Sequence, residues 1–182
     1  MRRTVVLIIL GFLLTACGPF ALKHKMEAVM SSKIVLPDNM LKVYQGNTYP
    51  AGDSLDSDLK LIIYVDSLRC SSCFISNIEI FDELFDMQKK HNGVYTPIIM
   101  FGSNRIDGLT VPHMLEEMRL AFPVYLDPKN EFLEANPSLA KDQRLHSVLV
   151  DGRGKPVMIG NPIDSPKLKG LFEEYLQTIS NQ

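Results

Sequence analysis

The sequence predicts an α/β domain built in three layers, a central mixed β-sheet with flanking helices. Three observations predict it. Strand-like and helix-like runs alternate from about residue 58 onward. Helical runs of the length that crossovers between parallel strands need separate the strand runs. The last strands form a hairpin followed by a closing helix, so parallel and antiparallel neighbours are both expected. The 182 residues are 46% hydrophobic and 22% charged, within the range of ordinary globular proteins, which argues against disorder and coiled coil. The net charge is −2 with no basic cluster, so no nucleic-acid partner is expected.

Residues 1–16, MRRTVVLIILGFLLTA, carry two arginines and then an apolar stretch from Val5 to Leu14. The stretch is too short for the roughly 20 residues that cross a bilayer and fits the pattern of a secretory signal peptide. Residues 17–33 are mixed and read as a tether, partly helical. Residues 34–182 read as the domain. Its first part, 34–51, suggests one or two short extended pieces broken by Pro37 and Pro50.

From there each element has its own signal. LKLIIYV (59–65) is a buried strand, and FISNIEIFDELFDMQKK (74–90) a helix whose Phe74, Ile78, Phe81 and Phe85 form one apolar stripe. Asn92-Gly93 ends that helix, and VYTPIIMF (94–101) is the next strand. Residues 111–121 predict a second helix with Pro112 in its first turn. FPVYLD (122–127) is a short strand, followed by a short helical piece at 128–135. HSVLVD (146–151) and PVMIG (156–160) flank the turn Gly152-Arg153-Gly154 as a hairpin, with Pro156 marking an edge strand. The closing helix spans about 165–178, its start signalled by Ser165-Pro166.

The chain holds three cysteines, at 17, 70 and 73. Leu14-Thr15-Ala16-Cys17 resembles a bacterial lipobox, in which the cysteine is acylated and becomes the first residue of the mature chain. That resemblance implies a lipid-anchored, periplasm-facing protein of the bacterial cell envelope, held in the bilayer through acylated Cys17. Each buried lipid CH₂ contributes about 0.8 kcal/mol, so several acyl chains anchor stably. Without residues 1–16 the chain loses two bases and no acid, leaving 17 bases against 21 acids and a net charge of −4. Outside the cytoplasm disulfides form and persist.

Cys70-Ser71-Ser72-Cys73 stands where the first long strand run gives way to the first long helix. A C-x-x-C beside a βαβ pattern reads as a redox motif. A thiolate at a helix N-terminus is stabilised by unsatisfied N–H groups and the helix dipole, which lowers its pKa. Cys70 is then the exposed attacking thiolate and Cys73 the resolving one. As a mere staple the pair closes a loop so short that the chain-entropy model gives only about 2 kcal/mol. A structural zinc site needs four ligands, and no second cysteine pair exists.

On IIYVDSLRCSSC and HSVLVDGRGKPVMIGNP, residues from about 58 to 178 resemble a thioredoxin-like domain. The closest likeness is to extracytoplasmic, membrane-anchored thiol–disulfide oxidoreductases of the thioredoxin/peroxiredoxin-like superfamily. The resemblance implies a thioredoxin-like three-layer sandwich. It also implies dithiol–disulfide exchange through Cys70 and Cys73, with protein thiols or disulfides or a membrane redox partner as clients. Where the family carries a cis-proline before the hairpin strand, this chain has Leu145 followed by His146. Tyr64 stands where a buried acid often serves as proton acceptor, and Asp66 is the alternative base, otherwise a solvated loop acid.

Two other readings stand beside this one. Copper chaperones of the cytochrome oxidase assembly type, also thioredoxin folds, use two cysteines and a distant histidine. By that likeness Cys70, Cys73 and His146 are a candidate copper-ligand set, since soft thiolates and imidazole suit copper. The plain alternative for His146 is a strand-start histidine at the surface. The other reading is a non-catalytic binding module that kept the fold and its cysteines. His24, His91 and His113 have no assigned role.

Overall fold

The computed structural model describes residues 17–55, 57–66, 77–102, 105–106 and 109–180. In chain order its elements are α1 (Cys17–Met30), β1 (Leu41–Tyr44), β2 (Asn47–Pro50), β3 (Leu59–Val65), α2 (Asp82–Lys90) and β4 (Thr96–Gly102). They continue with β5 (Arg105–Ile106), β6 (Leu109–Thr110), α3 (Val111–Met118), β7 (Val124–Asp127) and α4 (Glu131–Ala135). The chain closes with β8 (Ser147–Asp151), β9 (Pro156–Ile159) and α5 (Pro166–Ser180).

One seven-stranded sheet has the order β2-β1-β7-β4-β3-β8-β9. β3, β4 and β7 run parallel, whereas β8 is antiparallel to β3 and β1 antiparallel to β7. The expected α/β sandwich with a mixed sheet is therefore the observed architecture. β3 lies between a parallel and an antiparallel neighbour, and both of its faces are covered. Leu61 and Ile63 point with Ile99, Phe101 and Leu149 into a core closed by Leu84 and Met87 of α2, Leu115 of α3 and Phe172 and Leu176 of α5. Ile62 and Tyr64 point the other way, with Ile98, Met100 and Val148, onto Val29 of α1 and Phe132 of α4. Two buried faces explain why Leu61–Val65 is an unbroken apolar run rather than an alternation.

Two helices, α2 and α3, are shorter than the apolar pattern suggests. Residues 78–81 form a 3-10 turn leading into α2, with Ile78 and Phe81 buried, and residues 74–76 lie outside the described set. α2 ends as expected, with Asn92 and Gly93 both at positive φ. α3 stops at Met118 because Arg119 turns left-handed at φ 47, three residues before the expected end. α2 and α5 are tied across the surface by Lys90–Glu173 at 3.1 Å and Lys169–Glu83 at 2.5 Å. The hairpin forms as expected, β9 lying at the sheet edge where Pro156 withdraws no needed donor.

The N-terminal segment joins the same core. Val29 is fully buried, Ile34 donates its N–H to the Gly154 carbonyl at 2.8 Å, and the Asn136 side chain clasps the backbone of Val35 from both sides. Residues 34–51, expected as extended pieces, contain the β1–β2 hairpin, which extends the sheet beyond β7. Among the described residues no helix is long and apolar enough to cross a membrane.

Candidate functional site at the C-terminal end of the parallel strands

In an open α/β sheet, strand ends that face the same way leave a crevice, and polar groups gather there. Here three strands end together. Tyr64 is the penultimate residue of β3, Gly102 the last of β4 and Asp127 the last of β7. The Tyr64 ring packs at 5.0 Å on Phe132 and edge-on at 5.7 Å to His146. Its hydroxyl and the Asn130 side chain meet over Gly102, where an added Cβ would lie 2.7 Å from each oxygen. Asn130 holds φ 58, a left-handed conformation that asparagine tolerates better than most residues.

Asp127 is 1% exposed, yet both carboxylate oxygens are satisfied. Oδ1 accepts from the Glu131 N–H at 3.0 Å and Oδ2 from the Phe132 N–H at 2.8 Å, which fixes the first turn of α4. Burial, then the charges of Asp127 and Asp66, push the Tyr64 phenol well above the ordinary tyrosine range. Tyr64 is therefore a hydrogen-bond donor at neutral pH and not a proton acceptor.

His146 reaches this end of the sheet through a different device. Asp142 caps a 3-10 turn at Gln143–Leu145 by accepting from the Arg144 N–H at 3.2 Å. The Arg144 guanidinium grips the same carboxylate through Nε at 2.9 Å and Nη2 at 2.7 Å, and Lys25 of α1 adds a contact at 3.0 Å. Arg144 first, then Lys25, hold the Asp142 carboxyl well below the usual carboxylate range. The turn delivers Leu145 into the core at 1% exposure and His146 to the mouth of β8. Among the described residues every peptide bond is trans, that between Leu145 and His146 included. His146 is 4% exposed, so the surface placement that its strand-start position suggests is corrected. It is pinned between Tyr64 and the capped turn.

Beside it lies a polar cavity of about 190 Å³, lined by Tyr64, Arg144, His146, Ser147, Asn161 and Asp164. Asn161 caps the following 3-10 turn, accepting from the Ile163 N–H at 3.3 Å and donating to Asp164 at 3.1 Å. The sequence reading passed over Asp127, Asn130 and Asn161. Asn161-Pro162 is a cap followed by proline at the first position of the turn, a signal that would have found it. Asp127 bonds within its own turn, but to N–H groups four and five residues on, outside the usual cap spacing, and Asn130 carries no local mark because its approach to Gly102 is set by the fold.

Cys70 and Cys73 lie outside the described residues, as do residues 1–16, expected as a signal peptide; the Cys17 side chain is likewise not described. The segment that holds the cysteine pair leaves the end of β3 at Asp66 and returns at Asn77. Among the described residues no three His, Cys, Asp or Glu side chains come together to hold a metal. His24 is on α1, His113 pairs with Glu117 on α3 at 3.3 Å, and His91 is buried at the end of α2; none lines the cavity beside His146. Comparison with family models, with curated proteins and with solved structures finds no match to this chain.

Proposed function

We propose that the protein is a lipid-anchored, periplasm-facing, thioredoxin-like thiol–disulfide oxidoreductase acting through Cys70 and Cys73. One observation carries the reading: the C-x-x-C falls in the segment that joins the end of β3 to the turn before α2. β3 is the strand flanked by parallel β4 and antiparallel β8. At the same end of the sheet lie Tyr64, His146 and a polar cavity, which offer a client chain hydrogen-bonding groups.

The chemistry is a two-electron exchange. The Cys70 thiolate attacks one sulfur of a client disulfide, forming a mixed disulfide and releasing the other client sulfur as a thiolate. The Cys73 thiolate then attacks the Cys70 sulfur, closing the Cys70–Cys73 disulfide and expelling the second client thiolate. A membrane redox partner returns the two electrons. Substitution Cys70→Ser in the full chain tests this: exchange with glutathione is expected in the wild type and lost in the variant. Equal inertness of both, in reducing and in oxidising buffer, overturns the reading.

The copper reading has its own supporting observation, a buried imidazole at His146 on the end of the sheet from which the cysteine segment departs. Thiolates and an imidazole are a donor set that suits Cu(I). Titration of the reduced chain with Cu(I) against a competing chelator tests it. Affinity unchanged by His146→Ala removes the three-ligand site.

A further inference from the structure

A further unassigned feature lies at the opposite end of the sheet. β7 is only four residues long, and its ladder with β4 begins at Met100 and Tyr125, although β4 itself begins at Thr96. On its other side β7 pairs with β1 at Val43 and Val124, and Tyr44 extends past the start of β7. The short strand, preceded by Pro123, thus leaves a notch between the first residues of β4 and the last of β1. A cavity of about 360 Å³ fills it, a size typical of small-molecule sites.

The notch has an aromatic floor and wall. Phe85 of α2 stacks on Phe122 with centroids 4.8 Å apart, and Tyr44 and Tyr125 line the side toward β1. Phe122 and Tyr125 are buried and Phe85 is partly buried. Polar groups converge on it as well. Lys42 of β1 is half-buried, and among the described residues its ammonium has no hydrogen-bond or ion-pair partner. Lys89 stands on the rim, engaged with Asp86 at 3.0 Å, while Thr96 offers a hydroxyl. Among the described residues Asp82 is the one acid lining the notch, and it is exposed.

A half-buried cation with no ion-pair partner among the described residues, bordering the same cavity as these aromatic rings, is complementary to a planar anion. We propose that this notch binds a small aromatic carboxylate, its ring against Phe85 and Phe122 and its carboxylate on Lys42. The site is independent of the cysteine pair, and its occupancy is measured without any redox assay.

The test is a titration of the ¹⁵N-labelled full chain with 2-naphthoate, followed by amide shifts. Uncharged 2-naphthalenemethanol and cationic 2-naphthylmethylamine serve as matched probes. Saturable shifts at Lys42, Phe85, Thr96 and Phe122 are expected, with a dissociation constant below about 1 mM and about tenfold weaker binding of the alcohol. Lys42→Gln is expected to remove that tenfold preference while leaving the alcohol unaffected. Shifts that fail to saturate or fall elsewhere, or equal binding of acid and alcohol, overturn the proposal. Tighter binding of the amine also overturns it, since the notch would then select cations through Asp82. The three probes decide the matter on the wild-type chain, whatever the stability of the variant.

Discussion

The main-chain N–H of Tyr64 donates to the carbonyl of His146 at 2.9 Å, and the two rings stand edge to face at 71°. This bond continues the β3–β8 pairing one step past Ile63 and Ser147, so the imidazole is carried by the sheet and not by a free loop. The phenol ring then fixes it from the side. Tyr64→Ala removes that wall and leaves a cavity against Phe132, at a cost of about 3–5 kcal/mol by analogy with other large aromatic truncations. Tyr64→Phe keeps the ring. Ring-current shifts on the His146 imidazole protons are expected to persist in the phenylalanine variant and to collapse in the alanine one. Unchanged imidazole shifts in Tyr64→Ala contradict this account.

Alkaline stability follows from the buried phenols. Tyr64 and Tyr95 are both pushed above the usual tyrosine range, chiefly by burial, with Asp127 and Asp66 adding to Tyr64 and Glu173 to Tyr95. Tyr95 also donates its hydroxyl proton to the Leu84 carbonyl at 2.6 Å, a bond its ionised form cannot make. Because the folded-state pKa values are raised, the unfolded chain loses these protons first. Stability is therefore complete below about pH 10 and falls as pH rises through and beyond it. Denaturant melts between pH 8 and 11 are expected to show this decline, and Tyr95→Phe to flatten it. A slope unchanged by both phenylalanine substitutions places the loss elsewhere.

The acid side belongs to Asp142. Its carboxyl is depressed by Arg144 and Lys25, so the stability it contributes is present above the ordinary carboxylate pKa and lost as pH falls through the lowered value. Its bonds join two parts of the chain, since Lys25 lies on α1 and Arg144 on the turn before His146. Asp142→Asn is expected to flatten the acid limb of the stability curve. It should also speed amide exchange in residues 20–30 and 143–146 together. Faster exchange in only one of the two segments argues against a joint.

How far these features were legible in the sequence depends on the range of the interactions. β3, β4, the β8–β9 hairpin and α5 announce themselves through apolar runs, turn residues and a proline, all read within about ten residues. The β1–β2 hairpin does not, because its turn is Gln45-Gly46 with φ 50 and 79, while the pattern that signals such a turn is Asn-Gly or Asp-Gly. α1 gave only a weak helical reading, since few of its side chains, Val29 and Leu22 among them, pack on the sheet. The gathering of Tyr64, Gly102, Asp127 and Asn130 was out of reach for a different reason. It depends on strand order, and no local period records that β4 lies between β3 and β7.

That gathering makes a sharper prediction at Gly102. Its φ is unremarkable, so the glycine is required by space and not by conformation. A methyl group there would stand 2.7 Å from both the Tyr64 hydroxyl oxygen and Asn130 Oδ1. The exposed Asn130 side chain can swing aside, but the Tyr64 phenol cannot, because its ring is wedged between Phe132 and His146. Gly102→Ala is therefore expected to cost about 1–3 kcal/mol, the usual range for overpacking. Tyr64→Phe removes one of the two clashing oxygens. The double variant should then be more stable than the sum of the single losses predicts, with a coupling of about 1 kcal/mol, within the range for residues in direct contact. Chemical denaturation of the four proteins closes the cycle. Strict additivity would falsify the contact between the end of β4 and the phenol of β3.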